Sequence, residues 1–331
     1  MHALFFLAFA LATLAATSRG LLRRSSISQA LRAVPWVAAL AAASLDSAHA
    51  QQMEPRSYTN APIGLNFLIA TYQYSWGDVL VDPSLPIKNA NAKVNALVLG
   101  YSRVLDFWGE SGTLAALLPY AQISANGQIE GQAQGVTRSG PGDLGLRLAV
   151  NVLGGPALSL EEFRAYQQDT IVGVSLTLTA PTGQYDNTKL VNIGTNRWSF
   201  KPAAGISKAI GEWTLEGEAS VTFYTDNDEF LGHNLRQQDP LYALQAHATY
   251  NFNPTLWGAL DATYYMGGRT TVNGTLNEDL QANTRWGATL AQSVDKYNSI
   301  KLYFSSGLVA RTGTNFTTVG IVWQYRWGAG L

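Results

Sequence analysis

Histidine is the side chain best suited to proton transfer near neutral pH, and this chain has four: His2, His49, His233 and His247. The first two fall in a leader expected to be removed. His233 lies in a stretch of loop composition. Only His247 sits in a patterned segment, with Thr249 and Asn251 at the same parity along the chain. A histidine near a hydroxyl and an amide is raw material for a hydrolase, but no G-x-S-x-G elbow accompanies it. No H-E-x-x-H, P-loop or dinucleotide fingerprint occurs. Asp226, Asp228 and Glu229 lack the spacing of a twelve-residue calcium loop. Cysteine is absent, which removes disulfides and thiolate metal sites. The chain is therefore expected to be no enzyme and to carry no cofactor or metal.

A second set of residues is more informative. Asp143, Arg147, Lys201, Glu216, Glu218, His247, Asp261, Arg285, Lys301 and Arg326 all occupy polar positions that alternate with apolar ones. Charges that interrupt apolar runs at period two belong on the protected face of a strand. Facing lipid at mid-bilayer, an Arg or Lys costs roughly 2–4 kcal/mol. Their signs are mixed. Two chemistries fit: a polar path with weak charge selectivity, or an ion-pair network that fills the interior.

The elements that must position these residues are strands. Trp213, Leu215, Gly217, Ala219, Val221 and Phe223 alternate with Thr214, Glu216, Glu218, Ser220, Thr222 and Tyr224, which is the strand signature. Tyr242–Phe252 and Val319–Trp327 repeat the pattern. Strands are expected near 63–75, 92–105, 112–124, 140–152, 169–181, 197–209, 213–225, 240–252, 256–266, 281–292, 298–310 and 315–327. Each is about 11–14 residues, long enough to cross a bilayer at a tilt. In the first three, both faces are partly apolar.

Connections alternate in length. Asp106–Ser111, Ile210–Glu212, Asn253–Thr255 and Ser293–Tyr297 are short and rich in turn residues. Trp76–Ala90, Ala125–Ser139, Thr182–Asn196, Asp226–Asp239 and Gly267–Leu280 are long. Short periplasmic turns and long outer loops mark an outer-membrane barrel. An even strand number puts both ends of the barrel on the periplasmic side. The exceptions are Leu153–Gln168, a long periplasmic connection with Ser159 as a helix N-cap, and the short outer loop Arg311–Asn315.

Composition agrees. Charged residues are 14% and aromatics 11%, against about 25% charged in soluble domains. Mean hydropathy is −0.01, and after residue 50 no apolar run approaches the roughly 20 residues of a spanning helix. Trp76, Trp108, Trp198, Trp213, Trp257 and Trp327 fall near strand ends, as interfacial girdles require. Gly64, Gly100, Gly145, Gly205 and Gly258 are strand glycines, suited to bends and tight packing. Residues 1–50 read as a leader: Arg19, Arg23, Arg24 and Arg32 precede the apolar stretch Ala33–Leu45 and the small-residue site Ala48-His49-Ala50, so cleavage is expected after Ala50. A twin-arginine signal at Arg23-Arg24 and an uncleaved anchor are the alternatives. Residues 51–331 then form the barrel. Net charge is −1, and near −4 without the leader's four Arg and one Asp, so no nucleic-acid footprint is expected. The last strand carries Gly320, Trp323, Tyr325 and Trp327, a pattern suited to the barrel-assembly machinery.

Several blocks resemble one family. They are Pro141-Gly142-Asp143-Leu144, Thr179-Ala180-Pro181-Thr182-Gly183-Gln184-Tyr185, Asn192-Ile193-Gly194-Thr195-Asn196-Arg197-Trp198-Ser199-Phe200-Lys201-Pro202, Gln238-Asp239-Pro240 and Leu260-Asp261-Ala262-Thr263-Tyr264-Tyr265. The chain is similar here to the family described as "Putative MetA-pathway of phenol degradation". Where relatives carry an acidic residue after the Lys-Pro pair, Ala203 stands here. The resemblance implies an outer-membrane transporter barrel in lipid. The expected function is passive uptake of small solutes, aromatic or hydrophobic compounds among them. A structural or adhesive barrel with a plugged lumen, and a lipase-like barrel hydrolase, are the other readings.

Overall fold

The computed structural model describes residues 54–80, 87–129, 131–189 and 191–331. The leader and its cleavage site lie outside the described residues. The described chain is nearly all antiparallel strand: β1 (Leu65–Leu80), β2 (Ile87–Phe107), β3 (Glu110–Ile129), β4 (Gln132–Pro141), β5 (Leu144–Leu153), β6 (Thr170–Ala180), β7 (Ser199–Ile210) and β8 (Trp213–Tyr224). After the short β9 (Asn227–Phe230) and β10 (Asn234–Gln238) come β11 (Leu241–Asn253) and β12 (Leu256–Gly267). The chain continues with β13 (Thr270–Val272), β14 (Thr275–Leu276), β15 (Gln281–Ser293), β16 (Asn298–Val309) and β17 (Gly313–Gly328).

The sheet closes on itself. β1 pairs with β2 on one side and with β17 on the other, from Leu65↔Gly328 to Leu80↔Gly313. Closure leaves no open edge around the barrel ring, which lipid demands because it offers no hydrogen-bond partners. β4 and β5 pair with the upper and lower parts of β3 and act as one strand interrupted at Gly142-Asp143. Counted so, the barrel has twelve strands. The expected strand 140–152 is thus only the lower half of a longer one. Its upper half reads as loop because it leaves the bilayer, where no apolar face is needed, while its ladder continues. The same holds for the outer ends of β1, β2 and β3.

Alternation sorts the walls. Leu215, Phe223, Leu244, Leu260, Leu290, Leu302 and Ile321 are exposed on the outside, and Thr214, Glu216, Thr249, Thr263 and Asn283 are buried inside. Paired rings band one rim: Tyr325 stacks on Trp327 at 5.7 Å, and Trp213 lies tilted 4.9 Å from Tyr250. Trp257 departs from the girdle expectation. It shares parity with the buried Ala259 and Asp261, and its ring lies under an arginine of the interior.

The short turns fall where the sequence places them. The long β5–β6 connection contains a one-turn helix, α1 (Leu160–Phe163). Ser159 caps it in a reciprocal box with Glu162, the arrangement that satisfies two otherwise orphaned N–H groups. Bonds from Ser159 hold the Glu162 carboxyl below its usual range. The other end carries β9, β10, β13 and β14, which form a small separate sheet.

Candidate functional site

The site of interest is the barrel interior, which two segments narrow from opposite ends. From the outer end, the chain between β6 and β7 folds into the barrel. Its base is a neck in which Gly183 and Gly194 meet: a Cβ on Gly194 would lie 2.7 Å from the Gly183 carbonyl carbon, and one on Gly183 2.8 Å from the Gly194 Cα. Only glycine tolerates such backbone approach. One carboxylate clamps the neck. Asp143 Oδ1 accepts from Gly183 N at 2.7 Å, while its Oδ2 accepts from Thr195 N at 2.8 Å and the Thr195 hydroxyl at 2.7 Å.

Beyond the neck the loop spans the barrel. On one side it ties to the β9–β10 hairpin: Asn227 Nδ2 donates to Tyr185 Oη at 2.9 Å, and Asn187 Nδ2 donates to the Gly232 carbonyl at 3.1 Å. On the other side Val191 and Ile193 bury against Val79, Ala92, Val94, Ala96, Ala121, Ile123 and Ala125. This explains why both faces of β2 and β3 are apolar. Their inward alanines and valines face the loop, in register pairs such as Val94↔Ile123 and Ala92↔Ala125.

From the periplasmic end, residues 54–64 enter as a strap. Glu54 pairs with Lys301 of β16. The Arg56 N–H donates to Glu216 Oε2 at 2.6 Å, its guanidinium bonds Asn251, and it lies 4.4 Å over the Trp257 ring. Tyr58 is 2% exposed and donates its hydroxyl to Glu218 Oε2 at 2.8 Å. Burial, and then the Glu218 carboxylate, push the Tyr58 phenol well above its ordinary value, so it remains a neutral donor. A cavity of about 490 Å³ lies beside the strap, lined by Arg56, Thr59, Gln168, Thr214 and Asn251.

The ten charged or histidine positions singled out from the sequence divide accordingly. Glu216, His247 and Asp261 lie in one row across β8, β11 and β12. His247 Nδ1 bonds Asp261 Oδ1 at 2.6 Å, and Thr289 donates to Asp261 at 3.3 Å. Glu218 lies next to this row, within Coulombic reach of Lys201, which itself feels Arg147. Those six positions surround the strap's seat. Of the other four, Lys301 also holds the strap, and three stand apart. Asp143 holds the loop neck. Arg285 donates to Ser305 Oγ at 3.1 Å and to the Phe316 carbonyl at 2.9 Å. Lys301 holds Glu54, and Arg326 caps a periplasmic turn by donating to the Lys296 carbonyl at 2.7 Å. Asn251, which shares parity with His247, bonds Arg56 and the Glu212 carbonyl instead. Sequence reasoning missed the strap, because it precedes the first strand and has no period. The signals for it were inward strand glycines, Gly205 and its register partner Gly173.

Residues 77–325 match the family described as "Putative MetA-pathway of phenol degradation". The chain belongs to this family. No curated protein matches it. Among solved structures it is similar to the COG4313 outer membrane channel from Pseudomonas putida F1, at 23% identity and a TM-score of 0.71. That likeness covers 83% of this chain and 100% of the other. It is also similar to the translocator domain of autotransporter NalP from Neisseria meningitidis, at 10% identity and a TM-score of 0.50, over 88% of this chain and 99% of that one. Both share the fold, a closed outer-membrane barrel. Three of the sequence blocks meet in the structure: Asp143 of the first clamps Gly183 of the second and Thr195 of the third, while Leu260–Tyr265 lies within β12.

Proposed function

We propose that this outer-membrane barrel is a passive channel for small solutes, including aromatic and hydrophobic ones, and that it transports without catalysing. One observation carries the reading: an apolar outer wall encloses a polar, mixed-charge inner wall, and two segments of the chain narrow the path between. A purely structural barrel has no need to fold a clamped loop into its interior. Mixed charge on the wall favours weak ion selectivity. An apolar strip on β1–β3 offers hydrophobic solutes a surface once the loop moves. Planar-bilayer recording of the refolded residues 51–331, paired with solute uptake in a deletion strain, tests this. Stepwise conductance and slowed uptake are expected; silence in both assays rejects transport and leaves the plugged structural barrel.

The same proposal covers biogenesis. The leader is removed after Ala50, so the mature chain starts at Gln51; an intact Met1 on N-terminal sequencing contradicts this. β17 serves as the strand that the assembly machinery reads, through Gly320, Trp323, Tyr325 and Trp327. Replacing the three aromatics with serine is expected to lower the amount of folded barrel in the membrane while leaving refolding in detergent intact. For the hydrolase alternative, any esterase activity that disappears in His247→Ala overturns the non-catalytic reading.

A further inference from the structure

The inner wall carries a slot one aromatic ring wide. Gly173 of β6, Gly205 of β7 and Glu218 of β8 lie in a single register row. The Tyr58 ring rests on the two glycines: a Cβ on Gly173 would lie 2.1 Å from its Cδ1, and a Cβ on Gly205 2.2 Å from its Cε2. The ring is thus held where any other residue type would exclude it. The third member of the row closes the polar end, because Glu218 Oε2 accepts a hydrogen bond from the Tyr58 hydroxyl at 2.8 Å while its Oε1 accepts from Gln245 at 3.3 Å. Ser175 lies on the same inner face of β6, two residues along from Gly173.

We propose that the slot formed by Gly173, Gly205 and Glu218 is a binding site for neutral phenolic solutes, occupied in this structure by the chain's own Tyr58. The inference deepens the channel reading and rests on it. The occupant is not part of the wall. Tyr58 sits in the segment before β1, held nearby by Arg56 and by Asn60, whose side chain donates to the Pro156 carbonyl at 3.0 Å. A filler with no other role needs only apolar bulk. This slot offers an acceptor for one hydroxyl, and a site built to bond a hydroxyl discriminates strongly against the analogue without it. A tethered ring competes with free solute at an effective concentration of about millimolar, so a solute phenol displaces Tyr58 and releases the strap at millimolar levels.

The test uses p-cresol, the free equivalent of the tyrosine side chain, and toluene, which lacks the hydroxyl. Planar-bilayer conductance is recorded for the wild type, Tyr58→Ala and Gly173→Ala. The three atoms nearest an added methyl at Gly173 all belong to the Tyr58 ring, so this variant is expected to keep the barrel and expel the ring from the slot. Wild-type conductance is expected to rise with p-cresol. Both variants are expected to conduct more than the wild type. In Tyr58→Ala, p-cresol is expected to block saturably at about tenfold lower concentration than toluene, whereas Gly173→Ala ignores it. A conducting Tyr58→Ala that responds equally to both compounds, or to neither, overturns the slot, as does a Gly173→Ala that is blocked like Tyr58→Ala. If no form conducts, the channel reading fails on its own. Calorimetric titration of p-cresol into folded Tyr58→Ala then decides the slot: saturable binding absent from Gly173→Ala upholds it, and no binding overturns it.

Discussion

Removing the Asp143 carboxylate should unlock the inward loop, and the structure sets the size of the effect. Asp143 accepts three bonds, from Gly183 N, Thr195 N and the Thr195 hydroxyl. A hydrogen bond to a charged group is worth about 1.5–3 kcal/mol. Water replaces part of that when the neck opens, and one carboxylate shares all three, so about 3 kcal/mol is the working value, roughly a 100-fold shift. The tip is held independently. Val191 and Ile193 are buried on the apolar wall, and burying such a side chain is worth about 1.5–3 kcal/mol. Two of them therefore match or exceed the clamp. Asp143→Ala should free the neck while the tip still seats most of the time, and Asp143→Ala with Ile193→Asn should free both. Asp143→Asn should behave like alanine in direction, because its amide sets a donor against either Gly183 N–H or Thr195 N–H. Trypsin cleavage after Lys189, which lies in the loop, reads the opening directly. Cleavage is expected to accelerate roughly 100-fold in Asp143→Ala where it proceeds through transient opening, with flickering conductance; the double variant should conduct steadily at a higher level. Unchanged cleavage and unchanged conductance in Asp143→Ala would refute the clamp.

Other consequences are open to measurement. Gly194→Ala places a methyl 2.7 Å from the Gly183 backbone, so it should reproduce the Asp143→Ala cleavage pattern with a full-strength barrel; normal loop protection contradicts the neck. Arg56→Ala removes the Asn251 bond and the stacking over Trp257, the latter worth about 0.5–2 kcal/mol, and should speed amide exchange in residues 54–60 while the β8 and β11 amides stay slow. Gly320→Ala puts a Cβ 2.3 Å from the Tyr303 ring and breaks its 2.7 Å bond to Gln73. It should cost about 1–3 kcal/mol by overpacking, read as a lower midpoint of heat-induced gel-mobility shift, and Tyr303→Ala should suppress it. In the β15–β16 turn, Asp295 accepts from the Asn298 side chain and from the Tyr297 and Asn298 amides, which holds its carboxyl below the usual value. A depressed folded value means that the turn's contribution is complete above the ordinary carboxylate range and fades as pH falls through the depressed value. Exchange of those two amides should therefore quicken on acidification, and Asp295→Asn should flatten that dependence.

Much of this architecture was legible along the chain because a strand's two faces alternate regardless of its partners. The run Trp213–Tyr224 assigns Leu215 outward and Glu216 inward with no knowledge of neighbours, and the short turns follow from local chemistry at residues such as Gly211 and Asn253. The same parity placed the lumen candidates on one face, but not in one site. That His247 meets Asp261 depends on the β11–β12 register, which a single strand does not encode. The two constrictions belong wholly to tertiary structure. Val191 and Ile193 carry no period, and their partners lie on β1 to β3, about a hundred residues earlier. The inward alanines of β2 therefore look like an ambiguity until the loop is seen to cover them. Tyr58 likewise becomes meaningful only when the β6–β7–β8 pairing brings Gly173, Gly205 and Glu218 into one row beneath it. Local alternation determines that this chain is a barrel with a polar inside; only contacts between distant segments decide what stands in the way of a solute passing through it.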